Sequence, residues 1–336
     1  MTTNAPFLSA NGWLGIIPEV TRGTTPASGT VQYIPTMDPH ITPTLTWLND
    51  PAFRASPVEN YDQVPGTRHD EVDFKCYLYN DTFPVVLKGI LGSTDTVTGA
   101  GPYVHTIGLL NAPTTGSQPP SYSICLFDAA DAYVISGSQA DQLDLSFGAS
   151  TLIEATTKYK GNPWTTPTTS AGAPFTSLTF GSIVAAPAWD TTVSIAASQN
   201  WNVQDGKLTI MRKTEPIFTL GQQGPNPVFA GTCEVKGSFT IVVNSNADPF
   251  STGASPTSLV RNQQALVVTF NDPNSATPTS LALTMTKAQF ENVKRSSSKS
   301  FVELTVDFVA VANATDAISG YSPIKTVTTN SVSAAY

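Results

Sequence analysis

Charge is scarce in this chain of 336 residues: Lys, Arg, Asp and Glu make up 12%, about half the usual share of a soluble protein. What charge there is runs acidic, with a net −8 and a pI near 4.8. The chain as a whole therefore repels phosphate backbones and anionic membrane surfaces rather than collecting on them. Cysteine is equally sparse. Cys76, Cys125 and Cys233 form neither a paired framework nor a C-x-x-C spacing, and each sits in an apolar run where a thiol acts as a small hydrophobe. The reading is a reducing compartment during folding. No stretch approaches the roughly 18 apolar residues of a membrane span, so no membrane association is expected. Residues 1–10 also lack the basic start and apolar run of a secretory signal. The N-x-T triplets at Asn80 and Asn313 are accordingly read as chance matches to the glycosylation pattern.

Signatures of chemistry are missing too. G-x-S-x-G, H-E-x-x-H and the P-loop pattern do not occur, which removes the local marks of the common hydrolases, zinc proteases and nucleotide binders. His40, His69 and His105 have no second ligand at metal spacing, so surface or turn roles are expected for them. His69-Asp70-Glu71-Val72-Asp73 is the densest titratable cluster. It could hold a cation, but alternate side chains diverge at a strand start, which favours a solvated edge. Trp13, Trp47, Trp164, Trp189 and Trp201 are scattered, as packing anchors are, rather than gathered into a sugar-binding platform. Lys294-Arg295, with Lys299 nearby, is the one basic patch. Set among serines, it reads as an exposed turn with at most a minor phosphate-contact role. No catalytic, cofactor-binding or metal-binding residue is assigned, and the chain is not expected to be an enzyme.

What is present is a pleated-sheet composition. Hydrophobic residues are 40% of the chain, enough for a sizeable core and for two domains of ordinary size. Residues 71–79 alternate, with Val72, Phe74, Cys76 and Leu78 on one face and Glu71, Asp73, Lys75 and Tyr77 on the other. That is the period of a strand with one wet side. Residues 233–243 repeat the pattern. Further strands are predicted over 121–127, 132–135, 142–147, 151–159, 207–212, 266–270, 281–286 and 301–311, with turns at 244–246 and 271–274. A helix is predicted over 81–91, capped by Asp81 or Thr82, with Pro84 early and Gly92 at its end. A second, weaker helical segment covers 287–293.

The two halves also echo one another. Leu152-Ile153-Glu154-Ala155-Thr156-Thr157-Lys158-Tyr159 lines up with Phe301-Val302-Glu303-Leu304-Thr305-Val306-Asp307-Phe308, an offset of 149 (303 minus 154). Glu71-Val72 faces Glu234-Val235 at 163 (234 minus 71), and Gln139 faces Gln289 at 150 (289 minus 139). The drift puts surplus residues in the first half, in the Gly/Thr loop 93–103. The inference is a duplication, with the Pro/Thr/Gly-rich stretch 160–175 linking the copies.

Several segments, taken in order, resemble a known family. They are the opening Trp13-Leu14-Gly15-Ile16-Ile17-Pro18-Glu19, the passage from Val72 to Leu87-Lys88-Gly89-Ile90-Leu91-Gly92, and Tyr103-Val104-His105-Thr106. Asn200-Trp201-Asn202-Val203, Lys207-Leu208-Thr209-Ile210 and Ala230-Gly231-Thr232-Cys233-Glu234-Val235 follow. The order is similar to that of the major tail tube proteins of tailed bacteriophages, in their large, duplicated form. The resemblance spans about residues 12–313.

It implies a mainly β chain of two tandem tail-tube-like β-sandwich or barrel domains, each with a short helix packed on the sheet. Their inner sheets would join those of neighbours into a closed tube. Residues 1–12 would be an N-terminal arm, 13–165 and 166–320 the two tube-fold copies, and 321–336 a C-terminal arm, both arms polar and lightly structured. The function implied is a structural virion protein, assembled in the host cytoplasm and stacked as rings in the viral tail, through which the genome is ejected. Its partners would be further copies of itself, the tape measure protein and the tail terminator and tip proteins, with double-stranded DNA passing non-specifically. Three chains with pseudo-six-fold symmetry are expected rather than a true hexamer. Glu154, Lys158, Glu303 and Asp307 are the candidate channel-wall positions. The alternative is a non-catalytic β-sandwich decoration or receptor-binding protein.

Overall fold

The structure is a computed structural model that describes residues 8–52, 54–112, 116–167, 174–175, 178, 180, 184–196, 199–200, 202–243, 263–273, 279–297 and 299–336. Trp201, the turn expected at 244–246, Asn274 of the turn expected at 271–274 and residues 168–173 of the expected linker lie outside the described residues. In chain order the first strands are β1 (Trp13–Pro18), β2 (Gln32–Ile34), β3 (Met37–Asp50) and β4 (Asp62–Tyr77). Helix α1 (Pro84–Leu91) follows, then β5 (Thr96–Thr98), β6 (Tyr103–Gly108), β7 (Tyr122–Phe127), β8 (Ala132–Gly148) and β9 (Glu154–Gly161). Next come β10 (Thr191–Ile195), β11 (Gln199–Asn200), β12 (Val203–Met211), β13 (Glu215–Pro216), β14 (Val228–Phe229) and β15 (Glu234–Val242). The last are β16 (Gln264–Asp272), β17 (Thr279–Ser296), β18 (Glu303–Ala310) and β19 (Lys325–Asn330).

The strands form two layers around a main core, with a smaller second cluster at Ile17, Cys125, Ala132, Val134 and Phe175. One layer is a run of eight strands in the order β3-β4-β9-β8-β12-β15-β18-β17, antiparallel at every step. Only the second halves of β8 and β17 belong to it. Their first halves turn into the other layer, where β8 pairs with β7 and β17 with β16 and β19. A β-bulge sits in each ladder near that corner, at Asp141 and at Asn292–Val293, and Gly137 takes a φ of +65° at the corner of β8. Bulges and such glycines bend a strand from one sheet into the next. The order β3-β4-β9-β8 has the same pairing pattern as β12-β15-β18-β17: Asp73 opposes Lys158 as Ser238 opposes Asp307, and Tyr77 opposes Glu154 as Val242 opposes Glu303.

The inward faces supply Phe74, Tyr159, Leu143, Leu145, Phe239, Val306 and Phe308, all buried in one cluster with Val86, Leu87 and Ile90 of α1. Each such side chain contributes about 1.5–3 kcal/mol of transfer free energy. Glycines make room for the largest: Gly237 lies opposite Phe308, whose ring would come within 2.7 Å of an added Cβ.

The alternating segments 71–79 and 233–243 are strands, and the segments 132–135 and 142–147 are two ends of one long strand. The helix is present, ending at Gly92 in the left-handed region, but Asp81 does not cap it. Its N-cap is Phe83 without a side-chain bond, and Asp81 instead accepts from Ser331. Residues 287–293 are strand rather than helix. Ala288 and Phe290 are buried while their neighbours are not, so pairing with β18 overrides the helix-forming composition. Residues 321–336 are not lightly structured: β19 pairs with β17 on one side and β6 on the other. His105 is no surface residue either. It is fully buried, 2.7 Å from Asp95 through Nδ1, with Nε2 on the Val332 carbonyl.

Candidate functional site: a charged sheet face and the two outer strands

The outward face of the eight-strand layer carries the charge. Residues paired directly across a ladder point to the same side, so the registers define rows. One row runs Tyr77–Glu154–Ser146–Lys207–Ser238–Asp307–Glu291, and the next Lys75–Thr156–Asp144–Thr209–Lys236–Val309–Gln289. A third begins His40–Asp73–Lys158–Gln142. Acids and bases interleave along them, so the face offers no continuous basic track. Asp73 has its carboxyl raised above the usual range, chiefly by burial, against the opposing pull of Lys158 and His40.

All four candidate wall residues lie on this face. Glu154 and Asp307 share one row, and Lys158 lies in another. Glu303 alternates with the core residues Leu304 and Val306 but is itself covered, its Oε1 held 2.6 Å from Lys299 Nζ. Sequence periodicity carries no signal for that cover. The cluster at His69–Asp73 is split by the pleat. Glu71 and Asp73 face outward, whereas Asp70 is fully buried, accepting two bonds from Arg68 and one from the Trp164 backbone.

The second feature is the pair of strands ending the layer. Among the described residues, β3 pairs with no strand but β4, and the second half of β17 with no strand but β18. Leu208, Thr209 and Ile210 of β12 are buried where β8 covers them, while Ile41, Thr42 and Pro43 at the matching positions of β3 are half-buried or exposed. Lys294-Arg295 sits in β17 rather than in a turn. The hairpin β3–β4 also exposes Trp47, Leu48 and Val64 near its tip. Trp47 and Trp189 are therefore not packing anchors, unlike Trp13, which stacks on Phe127, and Trp164, which meets Tyr133 edge-on.

Burial pushes the Cys76 and Cys125 thiols up to about 12 and that of Cys233 to about 11, which suppresses the reactive thiolate. Among the described residues no three His, Cys, Asp or Glu side chains gather as metal ligands, and no helix is long and apolar enough to cross a membrane.

The pattern of the family described as phage tail tube protein matches residues 9–310. The chain belongs to that family. It is thereby a structural component of the phage tail, and the β-rich architecture accords with the membership. No curated protein matches the chain significantly.

Proposed function

We propose that the chain is the major tail tube subunit, a tandem pair of tube-fold units that polymerises through the outer strands β3 and β17 into stacked rings. The observation carrying this reading is the eight-strand layer. The join of β8 to β12 inside the chain is the kind of contact that β17 can make with β3 of a neighbour, and repeating it removes every edge of the layer. Residues 13–165 and 166–320 are read as the two units.

Size favours three chains. Three layers of eight strands, spaced about 4.8 Å and tilted by about 35–45°, close a cylinder of roughly 22–26 Å backbone radius. After side chains are added, that leaves room for one DNA duplex. Six chains would double the radius and leave a bore far wider than the cargo. The outward face then lines the channel, and its mixed charges avoid the counterion-release grip that a basic wall exerts on DNA. Rings assembled in the host cytoplasm would stack around the tape measure protein and end at terminator and tip proteins.

Electron microscopy of the purified chain is expected to reveal rings or hollow rods. For the channel face, Glu154→Lys with Asp307→Lys is expected to leave assembly intact and slow genome delivery. Normal particles with unchanged delivery would remove these residues from the wall.

A further inference from the structure

We propose that the seam between chains copies the register of the seam inside the chain with its charges exchanged, so that each edge rejects its own kind. The inference rests on the ring reading and specifies its partner, a second copy of this chain that lays β17 on β3.

Inside the chain, β8 lies on β12 with Asp144 opposite Thr209, and Thr209 is opposite Lys236 of β15. The row reads acid, hydroxyl, base. Thr209 Oγ1 donates to Asp144, and Lys207 Nζ stands 3.9 Å from the same carboxylate. The ladders identify the matching residues at the ends of the layer. Asp144 pairs with Thr156 of β9, and Lys294 pairs with Thr305 of β18; Thr156 and Thr305 hold corresponding places opposite β4 and β15. Lys294 therefore stands where Asp144 stands. On the other edge, Thr42 pairs with Glu71 as Thr209 pairs with Lys236.

Laying β17 on a neighbour's β3 in the same register gives the row Lys294–Thr42–Glu71. It reads base, hydroxyl, acid, the reverse of the internal seam. Lys294 and Thr42 are exposed and Glu71 is half-buried. Lys160, the base across the ladder from Glu71, is turned away, 3.2 Å from Asp141 and from the Thr214 carbonyl. Glu71 is thus left with His69, 3.6 Å away, and is available to a cation arriving from the β3 side.

The reversal has a use. A closed ring needs a heterologous contact, whereas a self-complementary edge would give dead-end dimers. Laying β17 on β17 opposes Lys294 with itself, and β3 on β3 gathers Glu71 and Asp73. Before the internal seam closes, β8 on a foreign β3 sets Asp144 against Glu71, and β17 on β12 sets Lys294 near Lys207 and Lys236. These four wrong pairings join like charges and both right ones join opposite charges; β8 on β17 and β3 on β12 are left undiscriminated by this row. Like-charge juxtaposition at an interface is the repulsive half of partner choice.

The test is assembly of the wild-type chain, Lys294→Glu, Glu71→Lys and the double variant, followed by sedimentation and electron microscopy across protein concentration. Each single reversal is expected to raise the concentration for half-assembly about tenfold, the scale of one interfacial charge pair, and the double variant to recover most of that loss. Lys294→Glu assembling at the wild-type concentration, or a double variant no better than the singles, overturns the proposal. A wild-type chain that stays monomeric overturns the ring reading itself. Register is read separately in Thr42→Cys/Lys294→Cys: oxidation of assembled rings is expected to link chain to chain, and rings that assemble yet remain unlinked contradict it.

Discussion

At the scale of the residue, close approach decides which positions tolerate change. Gly237 lets the Phe308 ring lie flat across the ladder against Phe239, with centroids 4.9 Å apart. A Cβ there would come within 2.3 Å of the Lys207 carbonyl oxygen. Gly237→Ala is expected to destabilise the chain by about 1–3 kcal/mol, the usual penalty of overpacking, measurable as a lowered denaturation midpoint. Asp73 makes a second case. Its carboxyl is raised by burial, so the folded state binds the proton more tightly than the unfolded one, and ionisation weakens folding as pH rises above the ordinary carboxylate range. Asp73→Asn is accordingly expected to raise Tm at neutral pH, with the gain shrinking as pH falls and the wild-type carboxyl protonates. A gain that instead grew on acidification would reverse the assignment.

At the scale of the element, the strand β19 shows what sequence conceals. Its inward positions are Thr326, Thr328 and Asn330, which read as a polar tail. They are buried because each polar group has a partner or a packed neighbour: Thr326 donates to the Ile107 carbonyl and Asn330 to the Asn80 carbonyl. The end of the chain is fastened too. The Tyr336 backbone N–H donates to Asp95, its ring packs edge-on against His105, and its carbonyl oxygen accepts from Lys88, whose ammonium is lowered mainly by burial. Deleting Tyr336 alone is expected to cost about 1–3 kcal/mol, the penalty of stranding buried polar partners, read by chemical denaturation. Strands with apolar faces, such as β4, β15 and β16, were legible from period-2 alternation alone. β3 was not, because Pro39 and Pro43 interrupt it and most of its side chains are wet. The common face of Glu154, Lys158 and Asp307 follows from the same alternation, whereas the Lys299 cover over Glu303 depends on a tertiary contact that no local pattern carries.

At the scale of the whole molecule, the eight-strand layer is continuous but stops at two strands of unlike charge. The hairpin β3–β4 carries Asp38, Glu71 and Asp73, and the far end carries Lys294 with Lys299 beyond it. On the proposed reading such a layer is completed by a neighbour, because unpaired backbone groups along a strand can recruit another strand. Lateral union is what the two unlike outer strands are proposed to bring about, and the mass of the assembled particle checks it. Native mass spectrometry of single rings is predicted to give three times the 35.5 kDa chain mass; a chain that stays monomeric at every concentration would contradict lateral union, and a six-chain ring would contradict the count of three.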